Sequence, residues 1–478
     1  MRVVFALVCA LGLGTAGLAG ERPKDFGKQW VRNHPLTLMA LLLDSDTYDP
    51  AWYKELNLTA ALIWKGREGL FEKSAANGMP WHYYALPNLK KTKDAADDYD
   101  ALAQERMDLA RSFHDKYAGG AGFLIWDEPR HPAFPAMAQA MAWFRETFPE
   151  MLGYSNLYSG GAPAGKYYDT EPDAEGNYTA PPVPYGYEQY LREYLDTCHP
   201  DLLMVDPYPF VDYETCDDVT WTATRYFHTL EAVRKAALEA SLPYWTFVQS
   251  FGNGGSYYCP SESDLRMQVF SSLAYGFTGL AYFLYHAPTY PCALLCADGT
   301  PSPLFHVVSQ VNREVQHLGP ALRSLTSTDV RYVPGLRYLD GRNVPNPLPV
   351  GVTAYDDAAG KVCGIASIEV KGVAESRNAL IGFFRDDAGG AYFMLVNLRH
   401  ARGVAADEMI VPVQLSFEPS VQTLYRLSRE TGGPEAVTIA DGKLELRLPG
   451  GTGDLFKVGD GKFPGVEGVE RWDSRDCK

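Results

Sequence analysis

The stretch GFLIWDEPRHP, residues 122–132, runs from an apolar segment into two adjacent carboxylic acids, Asp127 and Glu128, and is halted by Pro129. It lies between two helix-like segments, DYDALAQERMDLARSFHDKY (98–117) and FPAMAQAMAWFRETF (134–148), whose apolar residues recur at the 3.6-residue period. One strand-like unit between two helical ones is the element of an α/β fold. Seven further strand-like runs share this texture: LTLMALLL (36–43), LTAALIW (58–64), WHYYALP (81–87), LGYSNLY (152–158), DLLMVDPYPF (201–210), PYWTFVQSF (243–251) and GLAYFLYH (279–286). Helix-like segments separate the later ones: YEQYLREYLDTC, TLEAVRKAALEA and SDLRMQVFSSLAYG, with LFHVVSQVNREVQHLGPAL following the last strand. Eight alternations predict a (β/α)8 barrel over residues 21–325. Nothing after any of these strands reads G-x-G-x-x-G or G-x-x-x-x-G-K-[ST], the turns that open a doubly wound sheet.

After residue 325 the texture changes. GVTAYDD, GKVCGIASIEV, AYFMLVNLR, MIVPVQLSF, VQTLYRL, KLELRLP and DLFKVGD are short, alternating and separated by Gly, Pro, Asp and Asn, which predicts a C-terminal all-β sandwich over 326–478. No solenoid repeat or low-complexity linker intervenes, so the two domains are expected to pack closely.

Residues 1–20, MRVVFALVCALGLGTAGLAG, have the layout of a secretory signal peptide, with cleavage expected near Ala19 or Gly20 and an apolar part too short to span a membrane. A secreted or periplasmic product follows. The net charge of −16 argues against a broad surface for nucleic acid. Seven cysteines lie beyond the leader: Cys198, Cys216, Cys259, Cys292, Cys296, Cys363 and Cys477. In an oxidising compartment PCALLC makes Cys292 and Cys296 the nearest local disulfide pair; a zinc site is disfavoured because no second close Cys or His pair accompanies them. No metal or cofactor is expected.

A barrel of this kind carries its site at the C-terminal ends of its strands, where Asp127 and Glu128 fall. Other strand ends supply Asp44, Trp64, Lys65, Asn88, Asn156, Tyr158, Asp206, Tyr208, Trp245, Gln249, Tyr285 and His286. Any one Trp or Tyr of this set is commonly core. As a collection, aromatic surfaces with hydrogen-bonding side chains suit a sugar, whose ring faces stack while its hydroxyls need directional partners.

IWDEP, GYSNLY, VDPYPF, PYWTFVQSFG, LRMQVFSSLAYGFTGLAYFLY, PSPLFHVVSQVNREVQHLGPAL and GTGDLFKV resemble a group of secreted bacterial barrel proteins of the glycoside hydrolase, β-galactosidase-like kind. The resemblance covers nearly the whole mature chain and implies a glycosidase acting on an oligosaccharide or glycan. Asp-Glu-Pro also resembles the acid pair of the N-acetylhexosaminidases of glycoside hydrolase family 123. Glycosidases commonly use two carboxyls. In the familiar barrel enzymes these are Glu residues ending strands four and seven, and here Gln249 stands where the second is sought. Glu262 reads instead as a helix start.

Three readings follow. In one, Glu128 is the acid/base and Asp127 orients a substrate acetamide that acts as nucleophile, with Tyr208 or Tyr285 hydrogen-bonding it. Because strand neighbours point to opposite faces, this requires a bend at Asp127 or Glu128. In another, Asp206 is the partner carboxylate. In the third, the barrel binds sugar without cleaving it.

Overall fold

The structure is a computed structural model describing residues 22–42, 46–64, 66–85, 96–162, 164–168, 186–212, 225–374 and 376–466. Residues 1–20, read above as a signal peptide, and Asp44, Lys65, Asn88, Cys216 and Cys477 lie outside the described residues.

Eight parallel strands close into a barrel: β1 (Thr37–Leu42), β2 (Ala60–Trp64), β3 (Trp81–Tyr84), β4 (Gly120–Asp127), β5 (Leu152–Leu157), β6 (Leu203–Val205), β7 (Tyr244–Gln249) and β8 (Gly279–Phe283), with β8 returning to β1. Buried on both faces, these strands read as nearly continuous apolar runs. The sixth is far shorter than its apolar run, because Pro207 and Pro209 cannot donate to a ladder. Asp206 therefore stands one residue past its strand.

The N-terminal end of the barrel is closed by the helix Phe26–Asn33, whose Trp30 and Val31 join the inner cluster of Met39, Leu62, Leu124, Tyr154, Met204 and Trp245. Trp245 packs there against Trp30, His82 and Tyr154 at ring separations of 6.3, 5.6 and 5.6 Å. It is fully buried at the floor, opposite the strand ends, so the expectation of sugar contact is replaced by a packing role.

Beyond the helix Pro303–Leu322 the chain builds β9 (Thr326–Pro334), a hairpin of β10 (Leu336–Leu339) and β11 (Arg342–Pro345), then β12 (Ile365–Val370), β13 (Asn378–Arg385), β14 (Ala391–Asn397), β15 (Val411–Phe417), β16 (Leu424–Leu427), β17 (Pro434–Val437), β18 (Lys443–Leu448) and β19 (Gly453–Val458). A six-stranded sheet in the order β17-β16-β19-β14-β13-β9 packs over a three-stranded sheet, β12-β15-β18. Ala379, Ile381 and Phe383 of β13 enter the sandwich core, while Leu380 and Phe384 join the cluster around the barrel helices. The period-2 strand thus has two apolar faces.

The helix Glu262–Tyr275, buried from Ser263 to Tyr275, lies between barrel and sandwich. Gly382 of β13 makes this contact possible, since a Cβ there would sit 1.9 Å from the Ala274 carbonyl oxygen. Arg266 grips Glu314 bidentately at 2.8 and 2.9 Å, and Arg429 of the sandwich reaches the same carboxylate at 3.2 Å.

Candidate active site

The end of β4 departs from regular strand geometry twice. Leu124 pairs with Tyr154, but the next pair is Asp127 with Asn156, so three residues of β4 oppose two of β5. This bulge sends Ile125 and Trp126 both into the outer core while Leu124 stays inside, which changes the parity of everything after it. Asp127 consequently shares the register of inward Asn156 and accepts its side-chain amide at 2.9 Å on Oδ1.

The second departure is Glu128, with φ +45°. The other non-glycine residues at positive φ among those described are Asn, Asp, His and Ser, whereas glutamate has no short side chain to favour the left-handed region. Its N–H donates to the Asn156 carbonyl at 2.7 Å, and the following Pro129 carbonyl accepts the Tyr190 hydroxyl at 2.6 Å. Strain held between two such anchors is a mark of a functional site. The bend that adjacent carboxylates need is present.

Asp206, Asp127 and Glu128 all act electrostatically on one phenol, that of Tyr208. Burial raises Tyr208 well above the ordinary tyrosine range, and Asp206, Asp127 and Glu128 add to the shift in that order. Tyr158, buried at the end of β5, is raised by burial and by Glu128, with a hydrogen bond from Arg130 acting against them. Both phenols are therefore held neutral and able to donate. Trp64, at the end of β2, stacks at 6.2 Å on inward Tyr84.

One side of the mouth is an aromatic wall from three loops. Tyr208 lies 5.2 Å from Phe251, 6.1 Å from Tyr257 and 5.9 Å from Phe283, and Tyr290 lies 5.7 Å from Phe251 and 6.3 Å from Phe283. Bridges Val211–Tyr257 and Gly252–Cys292 join the loops, and a disulfide between Cys259 and Cys292 closes them. The expected Cys292–Cys296 pair is replaced: Cys292 is joined to Cys259, which leaves Cys296 a free thiol.

Other rim expectations are redirected. Gln249, fully buried, donates to the carbonyls of Phe210, Phe251 and Tyr258 and accepts the Phe210 N–H at 2.9 Å, so it ties the β6 and β7 loops together. Tyr285 packs on Tyr53 at 5.5 Å, outside the barrel wall, which removes it from the acetamide role. His286 is buried with Nδ1 3.1 Å from the Thr47 hydroxyl. Glu262 begins its helix and binds Arg266 at 2.8 Å. Sequence reading missed Arg130, Phe251, Tyr257, Phe283 and Tyr290. Phe283 was accessible from the inward alternation of Gly279 and Ala281; the others sit in aperiodic loops. Among the described residues no group of three or more His, Cys, Asp or Glu side chains is placed to hold a metal ion.

No protein-family model matches the chain, and no curated protein does. Similar solved structures include an endo-β-1,4-mannanase from Thermotoga petrophila (9% identity, 78% of this chain and 97% of that one, TM-score 0.42). A β-galactosidase from the psychrophilic Marinomonas ef1 is similar at 10% identity over 60% of this chain and 62% of that one, TM-score 0.42. A glucosidase from Croceicoccus marinus is similar at 10% identity over 89% and 95%, TM-score 0.38.

Proposed function

We propose that the protein is a retaining glycoside hydrolase that cleaves a β-linked N-acetylhexosaminide with the substrate's own acetamide as nucleophile. The observation that carries this reading is the bulge and left-handed residue that put adjacent Asp127 and Glu128 at the barrel mouth. Glu128 protonates the leaving oxygen. Asp127, positioned by Asn156, accepts the acetamide N–H and orients its carbonyl oxygen, which forms a bond to the anomeric carbon as the glycosidic bond breaks. Water, deprotonated by Glu128, then opens the cyclic intermediate from the opposite face. The two displacements give net retention, and no carboxylate need stand at Gln249.

Tyr208 is the acetamide's second partner, a phenol kept protonated by burial and by the carboxylates near it. In this reading the leader-like residues 1–20 carry the enzyme out of the cytoplasm. A second reading, in which Asp206 is the partner of Glu128, draws on the same convergence at Tyr208. Turnover of aryl glycosides by folded Glu128→Gln is the test: activity on poor leaving groups should fall about 10²–10⁴-fold. Unchanged turnover removes Glu128 from the mechanism.

A further inference from the structure

The aromatic wall leads away from the carboxylates into a cleft of about 650 Å³ between the β7 and β8 loops. Phe283 links Tyr208, beside the acids, to Tyr290, which lines the cleft. Beyond Tyr290 the lining is mainly apolar, with Pro260, Pro291, Leu304 and Val307 among its residues. Three of its polar side chains face other work. Ser261 donates to the Ala401 carbonyl at 2.8 Å and Ser302 to the Ala293 carbonyl at 2.7 Å, while Glu262 is held by Arg266 and accepts the Ala406 N–H. A second sugar ring would bring several hydroxyls that need partners, and three of the polar side chains here are already committed. The volume lies in the range of ligand pockets, and both loops are held by the Cys259–Cys292 disulfide.

We infer that this cleft receives the leaving-group side of the substrate, and that this aglycone is apolar, an alkyl or aryl group in place of further sugar. The inference rests on the glycosidase reading for its chemistry, since the aglycone is what departs with the oxygen that Glu128 protonates. It rests on the cleft alone for the preference. Each methylene that enters should raise affinity by up to about fourfold until the cleft is filled.

The test is binding of β-alkyl N-acetylglucosaminides and N-acetylgalactosaminides, methyl through octyl, to the Glu128→Gln protein by calorimetry, beside turnover of the matching aryl glycosides by the unmodified protein. Affinity should climb with chain length. The climb should flatten in Glu128→Gln protein that also carries Val307→Asp, a change at a partly buried helix position whose folding is checked by thermal unfolding. A chain-length dependence abolished by Val307→Asp, with no turnover of any glycoside, upholds the cleft and defeats the glycosidase reading. Turnover with affinity indifferent to chain length, tighter binding of a disaccharide, or a climb that Val307→Asp leaves intact would overturn the inference.

Discussion

Asn156 donates its side-chain amide to Asp127 Oδ1 at 2.9 Å, and its own carbonyl accepts the Glu128 N–H at 2.7 Å. One β5 residue thus fixes both members of the acid pair. Asn156→Ala should leave the barrel folded but release the Asp127 carboxylate, lowering kcat about 10²-fold with a smaller change in KM. Steady-state kinetics checks this; an unaltered kcat would show that Asp127 needs no such support.

Tyr208 is held in its protonated form by burial and by Asp206, Asp127 and Glu128, so it remains a donor through neutral pH and beyond the usual tyrosine range. Tyr208→Phe should cost about 10²-fold in turnover, the scale of one lost donor in an active site. In the wild-type pH profile no loss of rate should trace to Tyr208 ionising near pH 10. A profile whose basic limb vanishes in Tyr208→Phe would contradict the assignment.

The floor of the barrel gives an acid-stability prediction. Burial, with a smaller effect from His34, lowers the His82 pKa to about 3, and its Nδ1 shares a hydrogen bond with the Tyr154 hydroxyl at 3.0 Å. The unfolded chain takes up this proton near pH 6.5 and the folded one does not, so the stabilisation is complete above that pH. It is lost as pH falls, at about 1.4 kcal/mol per unit between roughly 6 and 3. Thermal unfolding from pH 7.5 to 4.5 should show a decline that is shallower in His82→Phe; equal slopes would exclude His82 as the cause.

Much of this architecture is legible in the chain, and the exceptions have physical reasons. Short, nearly continuous apolar runs alternating with period-3.6 segments reveal the barrel, because its strands are buried on both faces and each helix must bury one. The bulge at Ile125–Trp126 leaves no such trace: FLIW is apolar at every position, so parity cannot be followed through it. DLLMVDPYPF reads as one long strand although its prolines end the ladder at Val205. Tyr257 and Tyr290 come from loops without period, and Cys259 meets Cys292 only because β7 and β8 are neighbours in the closed barrel.

That disulfide spans a sequence separation of 33 residues. Peptide mapping under non-reducing conditions should recover Cys259 joined to Cys292 and Cys296 open to alkylation. Cys292→Ser should lower stability by about 2–4 kcal/mol and, by loosening the wall, raise KM. A recovered Cys292–Cys296 link would contradict the loop arrangement.

Gly382 permits β13 to lie against the helix Glu262–Tyr275. Gly382→Val should force the sandwich from the barrel and destabilise the protein by several kcal/mol, on the scale of a severe overpacking. A melting temperature within a degree of wild type would show that the two layers adjust freely.

The central claim is that the acetamide of the substrate is the nucleophile and Asp127 its orienting base. It is tested most directly by comparing Asp127→Asn with wild type on an aryl N-acetylhexosaminide and on the same sugar without the acetamide, with a thiazoline mimic of the cyclic intermediate as inhibitor. Wild type should strongly prefer the N-acetylated sugar and bind the thiazoline far more tightly than the parent sugar. Asp127→Asn should lose rate mainly on the N-acetylated substrate, and Asp206→Asn should lose less. Efficient cleavage of the plain glycoside, indifference to the thiazoline and a larger loss in Asp206→Asn would contradict it and make Asp206 the partner of Glu128.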